Sequence, residues 1–341
     1  MRFLLDTEQR AFADSLDAML TAAGTPAVVR DWSRGERAAG RALWSRIAGA
    51  GVFALAVPET YEGLGPRTVE LGVAFVELGR HAVPGPLVET VAAAALLAGL
   101  DDPGPARRLL PALASGASTA TLAAGPYALD ADAADVRLAV SDQGVRARPP
   151  GAGEAAGRAE LRLAGVPGDP CPSLDPARRL FVLPPGGELL ASGPQVAAAG
   201  ARARTWARFA TAAQALGVGL ALLDRTVAYV GQRTQFGVPV GSFQAVKHQL
   251  ADAKIALEFA RPLVFGAALT MTPADVAAAH LTACEAAYAT ARTALQLHGA
   301  IGYTAEYDLS LWLGKARALR TAWGDPRTCR ALVLGDPGRR R

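Results

Sequence analysis

The sequence predicts a mainly α-helical protein in which one small β domain separates two helical regions. Apolar residues recur at helical spacing through residues 1–115 and again through residues 206–341. Between them, residues 116–205 contain short β-like runs that clusters of proline and glycine separate. We therefore predict three domains with these boundaries: an N-terminal helical domain, a reduced antiparallel β domain and a C-terminal four-helix bundle.

The N-terminal domain is predicted to contain three helices and one turn-rich loop. Asp6 can cap the first helix, because Gln9 three residues later completes a capping-box pattern. A second helix is expected at about residues 41–51 and a third at about residues 68–80. Two prolines and two glycines within residues 57–66 predict the loop that lies between these two helices.

The middle region is predicted to form a small sheet from short strands. The β-like runs fall at about residues 119–123, 136–140, 145–148, 160–164 and 180–183. Helical periodicity then returns in longer pieces, at about residues 206–232, 242–269, 273–298 and 309–323. Four consecutive helices with short connections are typical of a helix bundle.

Composition and charge argue against several classes of function. The net charge of +4 is mild, and a run of arginines at residues 339–341 accounts for much of it, so we predict no nucleic-acid partner. The three cysteines form no CxxC pair and the four histidines are dispersed, which predicts no metal site and fits a reduced, cytoplasmic compartment. The alanine-rich run at residues 91–100 is too short to span a membrane.

Two segments of the C-terminal region carry residues suited to a phosphorylated ligand. Residues 232–244 place Arg233 beside a Gly/Pro turn, and a guanidinium can hold a pyrophosphate through charge-assisted hydrogen bonds. Phe236 in this turn can either cover an adenine or simply pack. Residues 296–303 end a helix with glycines that leave backbone N–H groups uncovered. A surface helix–turn–helix junction and a simple helix C-cap would produce the same two patterns.

These segments resemble the C-terminal domain of the acyl-CoA dehydrogenase family. The resemblance rests on the sequence from Arg233 to Gly237, on Gln244, and on the run from Gln296 through His298-Gly299 to Gly302. Residues 57–65 and the Glu-Leu-Gly-Arg sequence at residues 77–80 look like the family's N-terminal helical domain. The order of the three domains matches as well, so the resemblance covers nearly the whole chain.

The resemblance implies a flavoprotein that uses FAD to desaturate an acyl-CoA thioester between its α and β carbons. In the family, the residues matching Arg233 and Phe236 grip the pyrophosphate and adenine of an FAD held mainly by the neighbouring subunit. Arg208 matches an arginine near the acyl-CoA and the catalytic base. The resemblance assigns further contacts with the same end of the cofactor to Gln244, Gln296, Gly299 and Gly302.

The sequence departs from the family in the flavin-ring pocket and in the base. The Thr-Glu-Pro…Gly-Ser-Asp type of segment that lines the isoalloxazine ring is not found between residues 110 and 205. The position of the usual catalytic glutamate falls on Trp323, and the alternative acidic position falls on Ala207. Asp325, two residues after Trp323, is the remaining candidate for the base, although it is also a typical turn residue before Pro326.

Three hypotheses account for a retained FAD grip without a complete active site. The first is a subunit of a heteromeric α2β2 acyl-CoA dehydrogenase, similar to those of bacterial steroid and cholesterol side-chain breakdown, whose longer homologous partner supplies the ring pocket and the base. The second is a self-sufficient homo-oligomeric dehydrogenase that uses Asp325. The third is a catalytically silent scaffold subunit. The resemblance also implies an electron-transfer flavoprotein as the redox partner.

Overall fold

The computed structural model describes residues 5–142 and 159–335, and most of these residues are helical. A continuous hydrophobic core runs through the N-terminal helices, the sheet and the C-terminal helices. The helices are α1 (Thr7–Ala22), α2 (Thr25–Ser33), α3 (Ala38–Gly49), α4 (Thr68–Arg80), α5 (Leu87–Leu97), α6 (Gly104–Ala114), α7 (Pro194–Gln232), α8 (Gln244–Thr270), α9 (Pro273–His298), α10 (Leu309–Leu319) and α11 (Pro326–Gly335). The strands are β1 (Ala120–Ala123), β2 (Ala128–Leu129), β3 (Val136–Asp142), β4 (Ala159–Leu163), β5 (Leu180–Phe181), β6 (Glu188–Ser192), β7 (Thr234–Gln235) and β8 (Val238–Pro239).

Helix α4 of the N-terminal region packs directly on the long helix α7, backbone against backbone. A Cβ atom on Gly79 would lie 2.0 Å from the carbonyl oxygen of Gln214, and one on Gly217 would lie 1.9 Å from the carbonyl oxygen of Val76. Real Cβ atoms do not approach so closely, so only glycine fits at either position. The two glycines therefore set the distance at which the N-terminal helices meet the C-terminal bundle.

The middle region forms a four-stranded sheet in the order β1-β3-β4-β6, beside a separate pair of β2 and β5. The sheet departs from the predicted antiparallel arrangement at one pair, because β1 and β3 run parallel. The two other neighbouring pairs of this sheet are antiparallel. Side chains on one face complete the core, among them Leu122, Leu138 and Leu161. The run predicted at residues 145–148 lies outside the described residues.

Helices α7, α8, α9 and α10 form the C-terminal bundle, with α7 at its centre. One window of α7 is long and apolar enough to resemble a membrane span, but 94% of that window is buried inside the protein. Such burial is the pattern of a core helix. Small residues line much of the buried face, including a close contact in which Gly219 faces Ala287 of α9.

Helices with a clear apolar stripe match the sequence prediction best, and those without one differ most. Helix α4 and helix α9 have the bounds that periodicity predicts. The start of α7 at Pro194 was not predicted, because residues 195–205 are rich in alanine and arginine and lack large apolar side chains. Helix α11 was missed for a similar reason, since Cys329 is its one buried residue.

The α4–α7 contact predicts a large loss of stability when a side chain is added at Gly217. Gly217→Ala should lower the free energy of unfolding by at least the 1–3 kcal/mol that is typical of overpacking (an order-of-magnitude range), because its Cβ meets backbone rather than a movable side chain. Urea denaturation measures the change. Gly231→Ala on the same helix is the matched control, because its Cβ meets nothing within 4 Å. Equal stability of the two variants would contradict this account of the contact.

Candidate functional site

The turn after α7 presents Arg233 and Phe236 on the surface. Arg233 follows the last residue of α7, and its backbone N–H donates to the carbonyl oxygen of Tyr229 at 2.9 Å. Strands β7 and β8 then form a small hairpin whose tip holds Phe236 and Gly237 at positive φ angles of 54° and 78°. Phe236 is 93% exposed, and its ring lies edge-on to Phe243 at 6.4 Å between centroids. The hairpin therefore displays an arginine and an aromatic ring that the chain itself does not cover.

The end of α9 carries the second predicted segment. Gln296 lies exposed in the last turn, and Gly299 ends the helix with a φ of 66°. Gly302 is buried, and a Cβ on it would come within 3.2 Å of both His298 and Leu295. Gly299 serves the chain reversal, because a positive φ favours glycine. Gly302 serves close packing.

A stacking contact joins the two segments. The ring of Tyr229 in α7 stacks on the ring of His298 in α9, with 4.2 Å between centroids. The Tyr229 hydroxyl donates to the His298 carbonyl oxygen at 3.3 Å, and Tyr307 packs against both rings. The ends of α7 and α9 are therefore held together as one surface. Its exposed members are Arg233, Phe236, Gln244, Gln296 and Gly299.

This surface has the chemistry of a site for the nucleotide end of a cofactor. Gln244 is the first residue of α8, so free backbone N–H groups and the positive end of that helix lie beside the hairpin. Arg233 supplies the guanidinium that pairs with phosphate, and Phe236 supplies a ring for stacking. We call these residues, together with Gln296 and Gly299, the nucleotide face; their roles there stay predictions.

A second candidate region is a cavity of about 600 Å³ at the junction of the three regions. Helix α5 contributes Glu89 and α7 contributes Arg204. Leu122 of β1, Leu129 of β2 and residues 124–127 between these strands form another part of the wall. The turn between α10 and α11 closes the cavity with Trp323 and Asp325. The cavity is therefore lined by Trp323, to which the sequence resemblance assigns the position of the family's catalytic glutamate.

The turn that carries Trp323 is fixed by hydrogen bonds from three helices. Arg208 of α7 donates through Nε to the Trp323 carbonyl oxygen at 2.9 Å. His280 of α9 contacts the Ala322 carbonyl oxygen at 3.0 Å between Nε2 and oxygen, and burial lowers its pKa to about 4, so a neutral ring donates this bond. Trp323 itself donates from Nε1 to Oε1 of Glu89 at 3.1 Å. Arg208 thus acts on the backbone of the turn.

Asp325 caps helix α11. Its Oδ1 accepts from the backbone N–H of Thr328 at 2.8 Å, and its Oδ2 accepts from the Thr328 hydroxyl at 3.3 Å. The backbone hydrogen bond from Thr328 lowers the pKa of the carboxyl, which makes the carboxylate a weaker base. Asp325 does line the cavity, so its assignment as a base stays a prediction beside its clear role as a cap.

Sequence reasoning missed a buried group of charged side chains behind the cavity. Glu89 of α5 lies 3.9 Å from Arg178, measured from Oε1 to Nη2, and Asp175 lies 3.5 Å from Lys315 of α10. Burial raises the pKa of Glu89 and lowers that of Lys315. Asp130 is also buried, next to this group, and burial raises its pKa to about 7. Nothing in the local sequence distinguishes these residues from surface charges.

A third group of side chains brings metal-type ligand atoms together on the N-terminal helices. Ligand atoms of Asp17 in α1, Glu77 in α4 and His81, which directly follows α4, all lie within 4.8 Å of one another. The spacing of Glu77 and His81, four residues apart, is a local signal for this group. His81 Nε2 already pairs with Asp17 at 2.8 Å. Arg80 lies 3.6 Å from Glu77 and supplies positive charge there. Both carboxylates of this group are therefore already paired, Asp17 with His81 and Glu77 with Arg80.

Comparisons with known proteins agree with the architecture. Residues 6–117 match the model of the acyl-CoA dehydrogenase N-terminal domain, and residues 199–333 match that of the C-terminal domain. The chain is 31% identical over 324 residues to acyl-CoA dehydrogenase IpdE2 of Mycobacterium tuberculosis, which covers 94% of each protein. It therefore belongs to the acyl-CoA dehydrogenase family, whose members are FAD-dependent oxidoreductases acting on CH–CH bonds.

Solved structures share the fold. The ChsE4-ChsE5 complex from Mycobacterium tuberculosis superposes with a TM-score of 0.83 at 23% identity, over 100% of both chains. A variant of the Tcur3481-Tcur3483 steroid ACAD superposes with a TM-score of 0.80 at 24% identity, over 96% of this chain and 97% of that one. At these identities, the likeness concerns the fold alone.

The residues of this chain fit one end of FAD better than the other. The nucleotide face offers a guanidinium, an exposed ring and helix-terminal N–H groups, which suit the pyrophosphate and adenine. The strand and turn at residues 122–126 read Leu-Ala-Ala-Gly-Pro, so this stretch brings no hydroxyl, amide or charged side chain to the cavity. A flavin ring requires fixed donors along its polar edge. Residues 122–126 therefore provide no side-chain donors for the polar edge of the flavin ring.

The raised pKa of Asp130 predicts a pH dependence of stability. Because burial disfavours the carboxylate, its neutral form stabilises the fold fully below about pH 4, and that contribution is lost as the pH rises through about 7. Asp130→Asn should not lose stability in this way, because its amide stays neutral and asparagine tolerates the φ of 48° at this position. The free energy of unfolding of the variant, relative to that of the wild type, should therefore be higher at pH 8 than at pH 4 by roughly 1 kcal/mol or more.

Urea denaturation across that pH range measures the difference, with the exposed change Asp101→Asn as the control. A constant gap between Asp130→Asn and the wild type would disprove the assignment of a neutral buried carboxyl.

Proposed function

We propose that this chain is a subunit of an FAD-dependent acyl-CoA dehydrogenase that shares its cofactor with a longer homologous partner. In this proposal the nucleotide face holds the adenine and pyrophosphate of the FAD. The partner supplies the pocket for the flavin ring and the base for α,β-desaturation of an acyl-CoA thioester. The main support for the proposal is the exposure of Arg233 and Phe236 at the β7–β8 hairpin.

The exposure of these side chains is best explained by a ligand that another subunit brings. Among residues 5–142 and 159–335, no side chain forms an ion pair or hydrogen bond with the Arg233 guanidinium. The hairpin nevertheless commits Phe236 to a positive φ, a conformation that costs free energy for a residue with a bulky side chain. Such a cost is typical of positions that a binding function maintains.

This chain has no carboxylate at either of the positions that the resemblance assigns to the base, which supports the proposal that the partner supplies it. Trp323 occupies one position and Ala207 the other, and neither side chain can accept a proton in this reaction. When bound, FAD would supply the acceptor for the hydride that leaves the β carbon. The chain's own groups bind and position: Arg233 pairs with phosphate, and Arg208 holds the turn that lines the cavity.

An exposed apolar stripe on α8 supports a protein partner. Ile255, Phe259 and Leu263 recur every four residues on the face of α8 opposite its buried residues, and Phe259 is 70% exposed. Phe243, directly before α8, and Phe236 at the tip of the hairpin are exposed as well. Exposed apolar side chains that recur along one helix mark a candidate interaction site. Because α8 begins at Gln244 of the nucleotide face, an interface on this helix fits a cofactor shared with the partner.

The names of similar proteins suggest the pathway and the assembly. One similar structure is of a steroid ACAD and another is of a ChsE4-ChsE5 complex, and on these grounds we propose a heterotetramer in steroid catabolism, a branch of lipid metabolism. We propose that an electron-transfer flavoprotein reoxidises the flavin, as the family resemblance implies. We also propose a cytoplasmic location, which fits the three free cysteines.

Two alternatives make different predictions for the isolated chain. A self-sufficient homo-oligomer, with Asp325 as its base, should purify with about one FAD per chain and oxidise an acyl-CoA by itself. A silent scaffold should leave the FAD content of the complex unchanged when the nucleotide face is altered. The shared-site proposal predicts a colourless chain that completes a yellow complex with its longer homologue.

Removing Arg233 tests the nucleotide face directly. In the complex with the longer homologue, Arg233→Ala should weaken FAD binding by about tenfold or more, because a hydrogen bond to a charged group contributes roughly 1.5–3 kcal/mol. Flavin absorbance after dialysis and a fluorescence titration with FAD measure the effect. Arg107→Ala, which removes an exposed arginine of α6, is the matched control. Unchanged FAD affinity in Arg233→Ala would favour the scaffold alternative.

The apolar stripe on α8 gives a separate prediction about assembly. Phe259→Asp should dissociate the complex with the longer homologue, because it places a charge in the centre of the proposed interface. Sedimentation velocity at micromolar concentration measures the assembly. Leu334→Asp in α11 is the control, since this leucine is similarly exposed but lies outside the stripe. An intact Phe259→Asp complex would remove α8 from the interface.

A further inference from the structure

The position of the Arg233 side chain depends on the last turn of α7. The backbone N–H of Arg233 donates to the carbonyl oxygen of Tyr229 at 2.9 Å, and the carbonyl oxygen of Arg233 accepts from the backbone N–H of Val240 at 2.7 Å, which closes the hairpin. Gly231 and Gln232 in this turn are exposed. Because helix ends fray, a turn of this kind needs a fixed point to hold the residue that follows it.

His298 of α9 supplies a fixed point for Tyr229. The planes of the two stacked rings differ by only 18°, and their centroids lie 4.2 Å apart. The Tyr229 hydroxyl also donates to the carbonyl oxygen of His298 at 3.3 Å. Tyr307 lies against both rings, at 6.5 Å from Tyr229 and 5.6 Å from His298 between centroids. Aromatic pairs prefer defined geometries, so this stack restricts where the end of α7 can lie.

The His298 ring is itself held in one orientation by its own helix. The residue is 4% exposed, and its Nδ1 lies 2.7 Å from the carbonyl oxygen of Ala294. Because a carbonyl oxygen can only accept, Nδ1 carries the hydrogen of this bond. Burial lowers the pKa of His298, so the ring is neutral at neutral pH and Nε2, which has no hydrogen-bond partner among the described residues, keeps a lone pair. The ring is therefore fixed through Nδ1 and through the stack.

Both segments of the nucleotide face are tied to this pair of rings. The hairpin with Arg233 follows Tyr229 in the chain, whereas Gln296 and Gly299 flank His298. The stack is thus a direct link between the two segments. A shift of one ring against the other would move the hairpin relative to the end of α9.

We infer that His298 is a positioning residue for Arg233: it holds Tyr229, and through Tyr229 the hairpin, where both segments can contact one nucleotide. His298 is buried and does not itself touch the cofactor. The inference rests on the proposed function, since this positioning matters only if Arg233 pairs with phosphate.

A double-mutant cycle on the complex with the longer homologue tests whether His298 acts through Arg233. His298→Ala should weaken FAD binding by about threefold or more, a factor within the range expected for loss of a stacked aromatic pair. In the Arg233→Ala background, the same change should weaken FAD binding by less than about 1.5-fold, because the residue that it positions is gone. Fluorescence titration with FAD measures all four complexes.

Three further variants separate positioning from a general loss of stability. His298→Phe keeps a ring that can stack on Tyr229, so its FAD affinity should lie within about twofold of the wild type. Tyr229→Leu removes the other ring and should reproduce the effect of His298→Ala, including where His298→Ala does not fold. Tyr288→Ala, which removes a half-buried ring of α9 outside the nucleotide face, should leave FAD affinity unchanged.

The inference is overturned by wild-type FAD affinity in His298→Ala or in Tyr229→Leu, by an equal loss in Tyr288→Ala, or by the same loss from His298→Ala with and without Arg233. If Arg233→Ala still weakens FAD binding in any of these cases, the proposed function stands and only the role of His298 is lost. If Arg233→Ala itself leaves FAD affinity unchanged, both the proposed function and this inference are wrong.

Discussion

The contact between α4 and α7 is the constraint on which the rest of the structure depends. Two glycines, one on each helix, let the backbones meet, and larger residues at Gly79 or Gly217 would force them apart. Helix α7 then carries the N-terminal region on one side and the bundle on the other. Because α5 follows α4, the same contact brings Glu89 within reach of Trp323.

The turn at Trp323 joins the N-terminal region to the bundle through polar contacts. Arg208 and His280 hold its carbonyl groups, and Glu89 holds its indole. The sequence resemblance assigns the family's catalytic glutamate to the position of Trp323 in this turn. In the structure, the indole N–H of Trp323 donates the hydrogen bond that links this turn to the N-terminal region. The nucleotide face, in contrast, is exposed.

The sequence was sufficient for the architecture and for the helices with strong periodicity. The bounds of α4 and α9 follow from their apolar spacing, and the exposed turn at Phe236 follows from the flanking glycine and proline. Glu89 could not be predicted, because its burial depends on Trp323, which is 234 positions away in the chain. The parallel pairing of β1 with β3 was likewise invisible, since strand patterns record which residues are apolar but not which direction a neighbour runs.

The length of α7 has a consequence for stoichiometry. The cavity-lining turn is attached at Arg208, and the hairpin begins at Arg233, a distance of 25 helical residues or roughly 37 Å. This is further than one extended dinucleotide reaches, so a single molecule of FAD cannot occupy both places in one protomer. Each copy of the chain therefore presents two separate regions along one long helix, the cavity and the nucleotide face. In the proposed assembly, the number of FAD molecules would therefore equal the number of interfaces that include a nucleotide face, and not the number of subunits.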